Sequence, residues 1–242
     1  SVKDILVKSS NIGMAKIGER LTNAGLYAAA ARFGFGRRTG SGLPGELDGL
    51  LRPLKDWTGY STGSIPMGQE LAVTPLQLIA AHAALANGGT LRAPRLARRI
   101  GPASAGQIPE SSPATTIPAA VTSRVVAHQT ANWIVREAMT DVVRRGTGKR
   151  ARLPGYEVFG KTGTAQKTDR RTGRYFKNRH VCLFVAGAPA DDPRVLVLVV
   201  VDEPTAAGVH YGGTVAAPTA ARILRQSLVH LGVPARVARK ER

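Results

Sequence analysis

Apolar positions spaced by three and four dominate the first two-thirds of the chain, and continuous apolar runs of strand length follow. Val2 to Lys8 reads as a short helix, because Ser1 three residues ahead of Asp4 resembles a capping box. From Asn11 the residues Ile17, Leu21, Ala24 and Ala28 recur at helical spacing and predict a helix over 11–32, stopped by Gly34 and Gly36. Residues 36–64 are rich in Gly, Ser and Pro and read as an irregular surface segment. Thr74-Pro75 then supplies a capping hydroxyl followed by proline at a first helical position. The run Leu76 to Leu85 is apolar nearly all round, which predicts a deeply buried helix ending at Asn87-Gly88-Gly89.

An extended piece is expected over 90–100, and a mobile insertion over 102–119, where Ala, Pro and Ser dominate. A helix over 123–144 follows, with Val126, Ile134, Ala138 and Val142 along one stripe, broken by Gly146-Thr147-Gly148. Three strands are predicted over 157–165, 181–188 and 194–202. The last contains seven consecutive Val and Leu residues, a run typical of a strand covered on both faces. Between the first two lies a polar, basic loop over 166–179 that turns at 169–173. An amphipathic helix over 214–231 closes the pattern, with Ile223, Leu224, Leu228 and Leu231 facing inward. Helices, then strands in hairpin order, then a helix predict an α/β or α+β domain around an antiparallel sheet.

At 242 residues and 43% hydrophobic the chain can bury a sizeable core. It opens on serine rather than methionine, so we expect a fragment or processed product, and no apolar run is long enough to span a bilayer. The net charge of +18 suggests a polyanion partner at first sight. Only 5% of residues are aromatic, however, and no basic stretch is interleaved with stacking residues, so no nucleic-acid partner is expected. The basic residues cluster at 144–152, 167–179 and 236–242 and read as solvated loops and a tail, with attraction to anionic lipid or cell-wall polymer as the runner-up. Cys182 lies alone in an apolar run and reads as a buried, inert thiol. The five histidines are scattered without ligand spacing, so no metal and no other cofactor are expected.

The candidate chemistry lies in two short motifs. Ser9-Ser10-Asn11 opens one predicted helix, and Lys161-Thr162-Gly163-Thr164-Ala165 ends one predicted strand. They match two of three signatures of penicillin-recognising acyl-transfer enzymes, S-x-N and K-[ST]-G. The third, S-x-x-K, which carries the nucleophilic serine, does not occur in these residues. Each motif alone is weak: the first could simply cap a helix, and Lys161 could be a solvated lysine. Further blocks fall in order around them: Thr74-Pro75-Leu76-Gln77-Leu78, Ala84 to Gly89, Gly146-Thr147-Gly148-Lys149, and Tyr211-Gly212-Gly213 with Ala217-Pro218.

Together these blocks resemble the transpeptidase domain of class B penicillin-binding proteins, over residues 1–231, with 232–242 as a basic tail. The resemblance implies the penicillin-binding-protein/serine β-lactamase-like fold, an antiparallel sheet flanked by helices beside a helical subdomain. It implies an N-terminal truncation, with three core strands present rather than five and an apolar edge left bare on the last of them. A chain of this kind is expected to be poorly soluble or partly molten alone.

By that resemblance the substrate is a peptidoglycan stem peptide ending in D-Ala-D-Ala, and β-lactams are ligands. Ser9 would relay a proton to the departing D-Ala nitrogen, Asn11 would bind the substrate's peptide carbonyl, and Lys161 would supply a fixed positive charge. Thr162 and Thr164 would grip the terminal carboxylate, Gly163 would leave room for substrate along the strand edge, and the Thr164 N–H would be an oxyanion donor. The parent would be membrane-anchored, with this domain on the extracytoplasmic side among membrane-bound cell-wall synthesis partners, and the 242 residues alone would be inactive. A serine β-lactamase, a penicillin-sensing receptor domain and a non-catalytic scaffold share the fold. The Thr-Pro-Leu-Gln-Leu and Tyr-Gly-Gly blocks favour the transpeptidase over the first two.

Overall fold

A computed structural model describes residues 1–97, 99–100, 115–116, 122–169, 171–205 and 210–236. Helix α1 (Val2–Lys8) is capped by Ser1, whose hydroxyl accepts from the Asp4 N–H at 3.2 Å. Helix α2 (Asn11–Arg32) begins at Ser10, whose hydroxyl accepts from the Gly13 N–H at 3.2 Å. It is not one straight rod: Thr22 breaks it with φ 62 and ψ 168. The expected stripe is displaced in consequence. Leu21, Ala24 and Ala28 are exposed, while Gly18 and Leu26 are buried. Gly18 sits against the Thr62 carbonyl so closely that a Cβ there would fall 1.9 Å from it. Small size, not apolar spacing, decides which face of α2 packs.

The segment expected to be irregular contains β1 (Leu50–Leu51), a 3-10 turn over Leu54–Asp56, α3 (Ser61–Ser64) and a second turn over Ile65–Met67. The buried hydroxyls of Ser61 and Ser64 both donate to Glu70, which also takes Arg52. Strand β2 (Leu71–Ala72) pairs with β1 and leads into α4 (Pro75–Ala86). Thr74 and Gln77 form a reciprocal capping box at its start. The Gln77 amide also donates to the Arg37 and Asp48 carbonyls, both at 2.8 Å, so one buried glutamine ties the helix to the loop beside it.

Strand β3 (Thr90–Arg92) is followed by β4 (Arg99–Ile100) and β5 (Thr115–Thr116), which pair with each other, and β6 (Thr122–Arg124), which pairs with β3. Apart from 115–116, the expected insertion lies outside the described residues. The helix expected from 123 starts later, because residues 122–124 complete a sheet with β3. It comprises α5 (His128–Trp133), a π-helical stretch over Ile134–Met139, and α6 (Thr140–Arg144). The widened turn shifts the register, so Val135, Ala138, Met139, Val142 and Val143 are buried.

The sheet has three strands in the order β7 (Phe159–Thr168), β8 (Tyr175–Ala188) and β9 (Val195–Asp202), all antiparallel. This is the core expected from the sequence, with one difference. The polar segment expected as a loop is largely β-hairpin, with Thr168 paired to Tyr175 across a bulge. Its turn falls where expected, closed by the Gly173 N–H donating to the Asp169 carbonyl at 2.8 Å.

Helices α7 (Gly212–Val215) and α8 (Ala217–His230) complete the fold. Leu224 and Leu228 are fully buried against Phe184, Ala186 and the valines of β9, together with Ala217 and Ala220. Ile223 and Leu231 are exposed, contrary to the expected inward set, because alanines occupy the contact where α8 lies close on the sheet. The opposite face buries Phe159 against Val135 and Met139, with Leu85 and Leu196 beside them. Among the described residues no helix is long and apolar enough to cross a membrane.

Candidate active site

The two motifs meet at the free edge of β7. The Lys161 ammonium donates to the Ser9 hydroxyl at 2.8 Å, joining residues 152 positions apart. Local backbone explains why Ser9, not Ser10, makes the contact. Ser9 terminates α1 in the left-handed region, at φ 53 and ψ 49, which turns it out of both helices. Ser10 takes the capping role for α2. The capping reading of this motif is therefore true of Ser10, while Ser9 is free to face the lysine.

Helix α1 is held in place by charge. Lys3 reaches Asp141 at 3.0 Å, and Arg145 reaches both Asp4 and Asp141 at 3.0 Å. Asp141 is nearly buried, so this network fixes α1 on α6 more firmly than surface pairs would. Gly146 brings the following turn against the end of α1, where a Cβ would lie 2.4 Å from the Val7 carbonyl.

Lys161 is half-buried and also donates to the Thr162 carbonyl at 3.0 Å. Burial lowers its pKa from the ordinary 10.5 to about 8. The ammonium is therefore still mostly charged at neutral pH and titrates near 8. His82 on α4 accompanies it. Its Nδ1 lies 2.9 Å from the Leu78 carbonyl, and burial, against that hydrogen bond, lowers its pKa, with the Lys161 charge acting in the same direction as burial.

Successive side chains of β7 alternate, so Thr162 and Thr164 share the face opposite Lys161. The Thr162 hydroxyl lies 2.9 Å from that of Thr147. The Thr164 hydroxyl accepts from the Gly212 N–H at 3.1 Å. Gly212 and Gly213 permit this approach: a Cβ on Gly212 would be 2.2 Å from the Leu183 carbonyl, and one on Gly213 2.2 Å from the Thr147 carbonyl. Gly163 lies opposite Leu183 in the ladder, and a Cβ there would meet that side chain at 2.7 Å. Its missing side chain makes room for a cross-strand leucine. Asn11 opens α2 on an exposed position, and among the described residues no hydrogen bond joins it to Ser9 or Lys161.

The structure adds contacts that single-residue reading missed. Thr147 stands in the sequence as part of a helix break and of the Gly146-Thr147-Gly148-Lys149 block, with no role of its own. His180 and His210, taken as isolated, stack with ring centroids 4.7 Å apart. Cys182 is fully buried as expected, donates to the His210 carbonyl at 3.1 Å, and has its pKa raised by burial. Of the basic hairpin, Lys167 is paired with Asp202 at 3.1 Å and Glu203 at 2.7 Å, and Arg179 sits over the Phe176 ring at 4.6 Å. Lys167 thus ties the hairpin to the end of β9, and Arg179 packs within the hairpin itself.

Residues 1–225 match the penicillin binding protein transpeptidase domain. Stage V sporulation protein D of Bacillus subtilis is 40% identical over 96% of this chain, and PbpB, a penicillin-binding protein of Mycolicibacterium smegmatis, is 35% identical over 94%. The chain spans about a third of the length of these curated relatives, 35% of each. The crystal structure of penicillin binding protein 3 from Mycobacterium tuberculosis, complexed with ampicillin, superposes with a TM-score of 0.87 at 33% identity. That match covers 100% of this chain and 53% of the other. The fold, the ordered blocks and the sequence matches agree, and the chain belongs to the penicillin-binding-protein transpeptidase family as the transpeptidase domain of a class B member.

Proposed function

We propose that the parent protein crosslinks peptidoglycan by serine acyl transfer from D-Ala-D-Ala stem peptides, and that β-lactams acylate the same serine. The contact between Lys161 and Ser9 carries this reading, since it joins a titratable lysine to a hydroxyl at the edge of a strand. The serine of S-x-x-K, absent from these 242 residues, attacks the penultimate D-Ala carbonyl. Its proton passes to the adjacent lysine of that motif, and the C–N bond to the terminal D-Ala breaks as that nitrogen takes a proton through Ser9. The amine of a second stem peptide then displaces the serine and completes the crosslink.

Lys161 holds the terminal carboxylate electrostatically while Thr162 and Thr164 donate to it. The Thr164 N–H serves the oxyanion, and Asn11 at the start of α2 receives the substrate's peptide carbonyl. The parent is anchored in the membrane with this domain on the extracytoplasmic side, beside membrane-bound partners of cell-wall synthesis. Fluorescent penicillin labelling is the test: the full-length parent becomes covalently labelled and the 242-residue chain alone does not. Labelling of the short chain would place the nucleophile within it and overturn that assignment. An unlabelled parent would mean a scaffold rather than an enzyme.

A further inference from the structure

We propose that Thr147, outside both sequence motifs, is a positioning residue that sets the hydroxyl of Thr162 to donate to the substrate carboxylate. The inference rests on the acyl-transfer reading and adds to it the group that polarises the carboxylate clamp.

The turn over 146–148 touches three elements that carry the site. The Thr147 N–H donates to the Val7 carbonyl of α1 at 3.4 Å, two residues before Ser9. The Thr147 carbonyl lies against Gly213 of α7, where no Cβ fits. Its hydroxyl meets Thr162 of β7 at 2.9 Å. Gly148 lets the turn sit on Phe184, whose ring atoms would lie 3.0 Å from a Cβ there. A side chain anchored at so many points by its own backbone has little freedom to leave Thr162.

The hydrogen-bonding inventory then fixes the direction of donation. A hydroxyl has one proton and two lone pairs, and a carboxylate accepts only. Thr164 already accepts from the Gly212 N–H, which leaves its proton for a ligand. Thr162 can do the same only if its partner donates to it. With an anion bound, Thr147 must therefore be the donor of the pair, and Lys161, 3.5 Å from the same oxygen, supplies the second donor. Two hydroxyl protons on one face of β7 then meet the two oxygens of a carboxylate. Each donation into Thr162 strengthens the one it makes outward.

The test uses the full-length parent protein and compares Thr147→Val, which keeps the shape and loses the proton, with Thr147→Ser, which keeps the hydroxyl. Second-order acylation rates are measured with benzylpenicillin and with its methyl ester, in which the carboxylate is masked. Thr147→Val should lower the ratio of the two rates by about 2- to 10-fold, the range for losing a hydrogen bond between neutral groups, and Thr147→Ser should restore it. Thr147 is exposed, so the substitutions spare the core. Should the valine variant melt early, Thr147→Ala carries the same comparison. An unchanged ratio, equal losses on both compounds, or failure of serine to rescue would overturn the role of Thr147 while leaving acyl transfer standing. A wild-type protein that neither compound acylates would instead overturn acyl transfer, and the present inference with it.

Discussion

The two edges of the three-stranded sheet are built to opposite specifications. At the β7 edge the chain places Lys161, Thr162 and Thr164, and it brings Ser9 up against them. At the β9 edge it places Val and Leu from 195 to 201 with no charge until Asp202. Among the described residues each strand pairs only with β8, so both present unpaired backbone. Free strand edges recruit other strands unless charge, bulges or cover prevent it. The β7 edge is guarded by a cation and by the turn between α1 and α2. Among the described residues the β9 edge has no such guard, and Val200 on it is 40% exposed. One edge is therefore suited to receive a polar, extended ligand reversibly, while the other is suited to permanent cover.

The guarded edge is most sharply tested at its cation. Lys161→Met in the full-length parent should cut acylation by carboxylate-bearing β-lactams by about 10²–10³-fold, the range for truncating one member of a charge pair. The pH profile separates charge from shape. Because burial sets the lysine near pKa 8, the ammonium is present below that value and lost above it. Acylation should fall as pH rises through about 8, and Lys161→Met should abolish that limb. The stability consequence has the opposite sign. Between about 8 and 10.5 the unfolded chain holds more protons at this lysine than the folded one, so stability rises with pH there. An acylation rate flat from pH 7 to 10 in the unmodified protein would remove Lys161 from the clamp.

The β9 edge is tested by supplying the guard it lacks. Alone, the 242 residues should self-associate or remain partly molten. Val200→Lys should increase the monomer fraction severalfold, because a lysine on an exposed edge position opposes strand addition. Size-exclusion chromatography with light scattering reads both outcomes. A cooperative monomer without the substitution would show that the edge needs no cover.

The sequence disclosed whichever features are decided locally. Thr74-Pro75 announced α4, and the valine-rich run announced β9, because caps and continuous apolar runs carry their own cause. Features decided by a partner elsewhere were misjudged. The hairpin over 166–179 looked like a loop because its residues are polar, yet pairing between β7 and β8 extends it. Residues 123–124 looked helical until β3 claimed them. The inward face of α8 depended on how closely the helix lies on the sheet, which favours Ala217 and Ala220 over Ile223. Ser9 and Lys161 were legible through their motifs, whereas the contact of Thr147 with Thr162 was not, because it depends on Val7, Thr162 and Gly213 at once.

Ser9 offers the finest measure of what the guarded edge demands. A side chain with a Cβ held in the left-handed region is strained by about 1–2 kcal/mol, and glycine is not. Ser9→Ala and Ser9→Gly both delete the hydroxyl that meets Lys161, so both should lose acylation to a similar extent. They should differ in stability, with glycine about 1 kcal/mol above alanine, because only alanine keeps the strain at φ 53. Ser10→Ala is the control at the adjacent position. It removes the cap of α2 at a cost of about 1 kcal/mol and should leave the labelling rate nearly unchanged. Thermal unfolding and penicillin labelling of the three variants in the full-length parent therefore separate the roles of two adjacent serines. If glycine proved no more stable than alanine, the left-handed turn would not be what delivers Ser9 to the edge of β7.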